Sequence, residues 1–307
     1  NLKYHYEYKM AFADLYNKLK QMSPDIIVHT GDIAHTKTQL SPEFFQMCSS
    51  FLYNLAEIAP TYIILGNHDG NLKNDTRQDA ITPIVEALEH NNIHLLKNSG
   101  ETKINEKITF NVLSVFDREN WVKPTDSEAI NIALYHGSIH GCQTSQGYVI
   151  DEGEDSIDIF NDFDFAMLGD IHKQQRMDTE GRVRYAGSTV QQNFGESINK
   201  GFLMWNIRDK NDWYCQGVSI LNPRPFVTID LTAEGKVPNK IVTKGCRLRI
   251  RSAANISPMM LKAACDYAQN KWQPYSVSFV NNGTMQSSSN SLISKAVINE
   301  NLRDLTI

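Results

Sequence analysis

The sequence predicts a layered α/β domain followed by a smaller α+β unit, and three observations predict it. Short apolar runs rich in Ile, Val and Leu alternate with amphipathic helical stretches. Four of those runs stop at a glycine beside an Asp, Asn or His. The prolines of Asn222-Pro223-Arg224-Pro225 then break the chain before a final strand–strand–helix–strand pattern.

The elements follow in order. Residues 1–20 read as a helix with Met10, Leu15 and Leu19 on its apolar face. Pro24-Asp25 introduces a strand, Ile26-Ile27-Val28, that stops at His29-Thr30-Gly31-Asp32. A helix over 42–57 carries Phe44, Phe45, Met47, Cys48, Phe51, Leu52 and Leu55. Pro60 leads into Tyr62-Ile63-Ile64-Leu65, stopped by Gly66-Asn67-His68-Asp69. A helix over 81–91 precedes a strand over 93–96. Further strands are expected at 108–116, 130–135, 163–168, 183–185, 201–207 and 213–221. Beyond the prolines come strands at 226–231 and 246–251, a helix over 258–271 and a strand at 275–280. The organisation is therefore read as a main domain over 1–222 and a small domain over 223–286. A linker and the start of a further segment are assigned to 287–307. The chain reads as a piece of something longer at both ends.

Composition narrows the function classes. With 307 residues, 41% hydrophobic and 9% aromatic, the chain has enough apolar material for a core, which excludes wholesale disorder. No apolar run approaches the roughly 18 residues that span a bilayer, and the opening NLKYHYEYKM lacks the apolar centre of a signal peptide. No membrane partner is expected. A net charge of −5 excludes a general basic field, so nucleic-acid binding would need a local patch. The 5 cysteines are odd in number and never form CxxC, as for reduced thiols of a cytosolic protein.

The chemistry lies where the four apolar strands end: at Gly31-Asp32, at Gly66-Asn67-His68-Asp69, at His136-Gly137, and at Gly169-Asp170-Ile171-His172. In α/β sheets the C-terminal edge is where ligands bind, so these ends can converge. Mixed carboxylate, amide and imidazole donors suit Mn²⁺, Fe²⁺, Zn²⁺ or Mg²⁺ better than Ca²⁺ or a thiolate site. Two such cations, bridged by a carboxylate, activate water and neutralise a phosphate under in-line attack. An unmetallated His68 beside Asp69 fits the role of an acid or charge stabiliser.

This order of motifs resembles the calcineurin-like metallophosphoesterases. More narrowly it resembles the nuclease subunit of the SbcCD complex (SbcD) and the related meiotic recombination (MRE) nucleases. The narrowing residues are Gly31-Asp32-Ile33-Ala34-His35, the Leu168 to His172 stretch with Gln175, Tyr185-Ala186-Gly187-Ser188, Phe194-Gly195-Glu196 and Lys200-Gly201-Phe202. The resemblance implies a two-sheet α-β-β-α sandwich with a smaller capping domain. It implies Asp32 as the metal bridge, Asn67, His136 and Asp170 as ligands of one metal, and His172 as a ligand of the other. It gives catalytic roles to His68, His35 and Asp69, and places Gly187 and Ser188 in a loop near DNA. The implied activity is Mn²⁺-dependent (or Mg²⁺-dependent) exonucleolytic and endonucleolytic DNA cleavage in repair or recombination. The implied partners are DNA, an SMC-like ATPase of the SbcC type and a second copy of the chain. The implied location is cytoplasmic, on the nucleoid or in a virus-infected cell.

Two departures accompany the resemblance. The family's first motif, Asp-x-His, is absent, which puts the strand that carries it upstream of Asn1. The present chain is accordingly expected to bind one metal weakly and to show little nuclease activity. Asp170 stands where the usual pattern has His, which shifts the donor set towards Mn²⁺ or Mg²⁺.

Several basic residues have two readings. Arg182, Arg184, Lys173 and Arg176 either line a DNA path or serve the fold. Arg247, Arg249 and Arg251 alternate along one strand face, as phosphate contacts or as an ordinary solvated face. Two rival functions stay open: a small-molecule phosphoesterase on the same scaffold, and a non-catalytic DNA-end-binding subunit.

Overall fold

The computed structural model describes residues 2–35, 40–74, 77–254 and 256–281. The segment 287–307, assigned above to a linker and a further element, lies outside them. The described residues group into two compact units, one of 12–189 with 200–220 and one of 2–11, 190–199 and 221 onward.

The first unit begins with alternating helices and strands. α1 (Leu2–Met22) leads through Pro24 into β1 (Ile27–His29), α2 (Pro42–Ala56) into β2 (Thr61–Ile64), and α3 (Thr82–Leu88) into β3 (Ile93–Leu96). Each helix returns the chain to the same end, so β1, β2 and β3 pair in parallel, with Val28 opposite Tyr62 and Tyr62 opposite His94. α2 starts where the sequence dictates. The Ser41 hydroxyl accepts the Phe44 N–H at 3.2 Å, and Pro42 sits at the first helical position.

The second sheet holds β4 (Gly100–Lys103), β5 (Ile108–Leu113), β6 (Ile130–His136), β7 (Phe165–Gly169), β8 (Gln175–Arg176) and β9 (Val183–Tyr185). Their spatial order is β4-β5-β6-β7-β9-β8, with parallel pairing from β5 through β9 and antiparallel edges. β6 is buried along its whole length, as a central parallel strand should be. β10 (Gly201–Ile207) and β11 (Trp213–Ser219) form a hairpin. Ile64 of the first sheet joins Phe110, Val112, Ile132, Leu134 and Phe165 of the second in one apolar cluster, with Val28, Trp205 and Trp213 against it. The architecture is mixed α/β with several sheets, in agreement with the sandwich expected above.

β1 and β10 each pair on one side alone among the described residues. Beside them opens a cavity of about 550 Å³ lined by Leu15, Leu19, Val28, Ile132, Met167 and Trp205.

The second unit contains β12 (Phe226–Asp230), β13 (Arg247–Ser252), α4 (Pro258–Trp272) and β14 (Ser276–Asn281). The three strands form a parallel sheet with β13 in the centre. Ile229, Leu248 and Ile250 pack against Ala264, Ala268 and Trp272 of α4. The first turns of α1 also belong here, since Glu7 accepts two hydrogen bonds from the Arg247 guanidinium at 2.8 and 2.9 Å. Among the described residues no helix is long and apolar enough to cross a membrane.

Candidate metal centre

The ends of β1, β2, β6 and β7 meet around His136. This residue is 1% exposed, and its Nδ1 lies 2.7 Å from the Thr30 carbonyl oxygen. A carbonyl only accepts, so Nδ1 carries the proton and the neutral ring keeps its lone pair on Nε2. Nε2 points at two carboxylates, 3.3 Å from Asp32 Oδ1 and 3.8 Å from Asp170 Oδ1. Asp32, His136 and Asp170 each offer a ligand atom within 4.8 Å of the others. Burial opposes a charge on His136, but the Asp32 carboxylate outweighs it and lifts the imidazole pKa to about 9. Asp32 is held low in turn: burial alone would raise it, and His136 and His68 together more than offset that.

Glycine makes this convergence sterically feasible. A Cβ on Gly31 would lie 2.6 Å from both Gly66 N and His136 Nδ1, and one on Gly66 would lie 2.6 Å from His136 Cε1. Three strand ends can close on one imidazole because these positions carry no side chain. The two carboxylates sit on unusual backbone, with φ of +57° at Asp32 and +84° at Asp170. Such conformations cost about 1–3 kcal/mol and cluster at functional sites.

Asp69 explains how the Asp32 turn is held. It is 0% exposed and accepts backbone N–H groups from Asp32 at 2.8 Å, Ala34 at 2.8 Å and Gly66 at 2.9 Å. Burial raises its pKa to about 6 against the pull of these donors. The sequence reading gave Asp69 a catalytic role; the structure makes it the buried acceptor that ties the Gly31-Asp32 turn to the Gly66-Asn67 turn.

His68 and His35 stand at the exposed mouth. The His68 N–H donates to Asp32 Oδ1 at 2.9 Å, and its ring Nδ1 lies 2.9 Å from the His35 carbonyl oxygen. The two imidazoles stack with centroids 5.4 Å apart. Burial and the facing His68 both lower the His35 pKa.

His172 lies outside the three-residue group among the described residues, but its backbone is fixed beside it. Its carbonyl accepts from Ser188 N at 3.2 Å and from Lys200 Nζ at 2.8 Å. Gly187 turns with φ of +75°, where an added Cβ would lie 2.9 Å from Gln174 N. Gly187-Ser188 and Lys200 thus clamp the chain at His172. Tyr185 does the same for the strand end at His136, donating from its hydroxyl to the Gly137 carbonyl at 2.7 Å and accepting the Ile139 N–H at 2.9 Å. Sequence reasoning quoted Tyr185 and Lys200 as motif residues and gave neither a role. It also passed over His29, a partly buried imidazole at the end of β1 whose pKa falls to about 4 through desolvation and the nearby His136.

The basic residues divide differently from either sequence reading alone. Arg184 is 8% exposed, its guanidinium 5.4 Å from the Trp205 ring centroid and 5.9 Å from that of Trp213. Arg182 lies over Phe165 and Trp213 and pairs with Glu180 at 2.6 Å. Both guanidinium groups are engaged inside the fold. Arg247 is committed to Glu7, and Arg251 pairs with Asp230.

The donor set fits a divalent cation. His136 Nε2 and Asn67 Oδ1 are buried with no hydrogen-bond partner. Buried ligand-type atoms left without a hydrogen-bond partner are what a hard or borderline metal ion satisfies. Asp32, Asn67, His136 and Asp170 are the residues that would hold it. The comparison with known families agrees: residues 5–181 match the model of the calcineurin-like phosphoesterases. The chain belongs to the calcineurin-like phosphoesterase family. Among similar proteins, R555 of Acanthamoeba polyphaga mimivirus, named as uncharacterized, is 36% identical over 258 residues, covering 78% of this chain and 19% of R555. The "Putative phosphoesterase 244L" of Invertebrate iridescent virus 6 is 28% identical over 198 residues, covering 60% of this chain and 65% of that protein. The chain therefore matches less than two-thirds of the length of either relative.

Proposed function

We propose that this protein is a metal-dependent phosphodiesterase of the SbcD/MRE type that cuts DNA ends. The observation that carries the phosphodiesterase reading is the meeting of Asp32, His136 and Asp170 within 4.8 Å. Divalent ions bound there supply an activated water and neutralise charge on a phosphate under in-line attack. Asp32, together with His172, would hold a second ion. His68, fixed on Asp32 through its backbone and on His35 through its ring, stabilises the transferring phosphoryl oxygens or protonates the leaving oxygen. Mn²⁺ is the proposed ion, with Mg²⁺ next, because Asp170 hardens the donor set.

DNA is favoured as substrate by the Tyr185–Ser188 and Lys200–Phe202 motifs that carry the SbcD resemblance. Ser188 and Lys200 both grip the His172 carbonyl, so these motifs bear physically on the rim of the site. An SMC-like ATPase, a homodimeric state and a setting in a virus-infected cell belong to the same proposal, the last supported by the two viral relatives.

The test is Mn²⁺-dependent hydrolysis of linear duplex DNA and of bis(p-nitrophenyl) phosphate by the complete gene product and its H68A variant. DNA cleavage that H68A abolishes is the expected result. Hydrolysis of the chromogenic diester with none of DNA would turn the reading to a small-molecule phosphoesterase. DNA binding without hydrolysis of either substrate would turn it to a non-catalytic end-binding subunit.

A further inference from the structure

The last two residues of β6 meet different surroundings. Successive side chains of a strand leave on opposite faces, so Tyr135 and His136 point apart. His136 faces the carboxylates and is tied to the Thr30 carbonyl at 2.7 Å. Tyr135, 0% exposed, carries its hydroxyl to the other face, where it donates to Asp155 Oδ2 at 2.6 Å. Arg118, which opens the 3-10 turn Arg118–Asn120, holds that carboxylate. Its Nη1 donates to both oxygens of Asp155, at 3.0 and 2.8 Å, and its Nη2 to Glu154 Oε2 at 3.0 Å. The guanidinium carbon lies 5.1 Å from the centroid of the Trp121 ring, which stands edge-on to Tyr135 with centroids 5.9 Å apart.

The same acidic segment is tied to the chain that follows His136. The Asp155 N–H donates to the Ser138 carbonyl at 3.2 Å, and the Asp155 carbonyl accepts the His140 N–H at 2.9 Å. The Glu154 N–H donates to the Ser138 hydroxyl at 3.1 Å. A Cβ on Gly137 would strike the Tyr135 hydroxyl, and one on Gly153 would lie 2.7 Å from the Ile139 carbonyl carbon.

His136, opposite Gly169, is the last residue of β6 paired in the sheet. The ladder fixes how far the strand reaches, and the motion left soft at its last residue is a roll about the strand axis. Such a roll swings Nε2 relative to Asp32, whereas productive sites need their groups held within about 0.5 Å. Hydrogen bonds on opposite faces of the strand, one from His136 and one from Tyr135, oppose it. A lone carboxylate could turn about its own bond, and the fork of Arg118 fixes its plane.

We infer that Arg118 is a positioning residue for His136, acting through Asp155 and Tyr135. The inference rests on the metal-centre reading, to which it adds a support on the sheet face away from the ligands.

The experiment is calorimetric titration of the chain with MnCl₂, well below the melting point of each protein. The proteins are wild type, R118M, R118K, Y135F, the R118M Y135F double variant and R208Q. Methionine keeps an unbranched stem against Trp121 and removes the fork. R118M is expected to bind Mn²⁺ about tenfold more weakly, at the low end of the scale for groups that support a metal ligand. R118K recovers part of that loss, because lysine restores the charge without the planar fork. Y135F shows a similar loss, and the double variant loses no more than the weaker-binding single variant, since both residues act through one chain of contacts. R208Q breaks an exposed pair with Asp212 and binds as wild type.

An R118M protein that melts earlier but binds Mn²⁺ as tightly as wild type overturns the inference, since Arg118 then serves the fold alone. Losses that multiply in the double variant overturn the route through Tyr135. If R118M does not fold, Y135F carries the test, and unchanged affinity there overturns the inference. Absence of Mn²⁺ binding by wild type overturns the metal centre itself and this support with it.

Discussion

His136 and Thr30 are joined by a 2.7 Å hydrogen bond between two strand ends, and that bond decides which imidazole nitrogen faces the carboxylates. Because the Thr30 atom in that bond is its carbonyl oxygen, which only accepts, Nε2 is the nitrogen left for a metal. In the metal-free protein the same nitrogen takes a proton, since the His136 pKa stands at about 9. At pH 7.5 a cation must therefore displace that proton. Binding of Mn²⁺ should release about one proton and tighten by up to about tenfold per pH unit as pH rises towards 9. Calorimetry in buffers of different ionisation enthalpy reads the proton count directly.

Asp170 faces the same nitrogen from the end of β7 at 3.8 Å. If it is a ligand in place of the usual His, Asp170→Ala should weaken Mn²⁺ binding by at least about tenfold in a titration, at the scale of losing a charged ligand. Unchanged affinity would remove Asp170 from the ligand set.

Asp69 touches no cation position, yet it holds the turn that aims Asp32. Asp69→Asn replaces one acceptor oxygen by an amide that faces backbone donors. Mn²⁺ affinity should fall by about 10–100-fold, the usual scale for supporting groups around a metal. A variant that melts earlier but binds Mn²⁺ as wild type, measured well below its melting point, would contradict this.

His68 makes no contribution to the cation group, so His68→Ala should separate binding from turnover. Hydrolysis of bis(p-nitrophenyl) phosphate by the complete gene product should drop by about 10²–10⁴-fold with Mn²⁺ affinity nearly unchanged. Equal losses in both would reassign it as a ligand.

Arg184 illustrates the opposite case, a basic residue serving the fold. Its guanidinium lies against both Trp205 and Trp213 and donates to the Cys215 carbonyl at 3.3 Å. Arg184→Ala should cost about 1–3 kcal/mol in urea unfolding through lost packing and cation–π contacts. A variant as stable as wild type would contradict that assignment.

The parts of this molecule that sequence made legible are those with local signals. A glycine and a ligand-type residue after an apolar run marked Asp32, His136 and Asp170, whose ligand atoms lie within 4.8 Å of one another. The strands over 93–96, 183–185 and 201–207 were bounded by visible turns and coincide with those observed. β4 and β8 were missed because one is polar Gly-Glu-Thr-Lys and the other is two residues long. The role of Asp69 was not legible, since a sequence does not say which way a carboxylate points. Nor was the pairing of Glu7 with Arg247, 240 residues apart, or the capture of Arg184 by two tryptophans of a hairpin. These depend on tertiary contacts that no short window contains.

Anomalous diffraction from crystals of the chain soaked in MnCl₂ tests the central claim most directly. The account predicts a peak about 2.0–2.3 Å from His136 Nε2 and from oxygens of Asp32, Asn67 and Asp170. Crystals saturated with Mn²⁺ that show no density among these four side chains would contradict it.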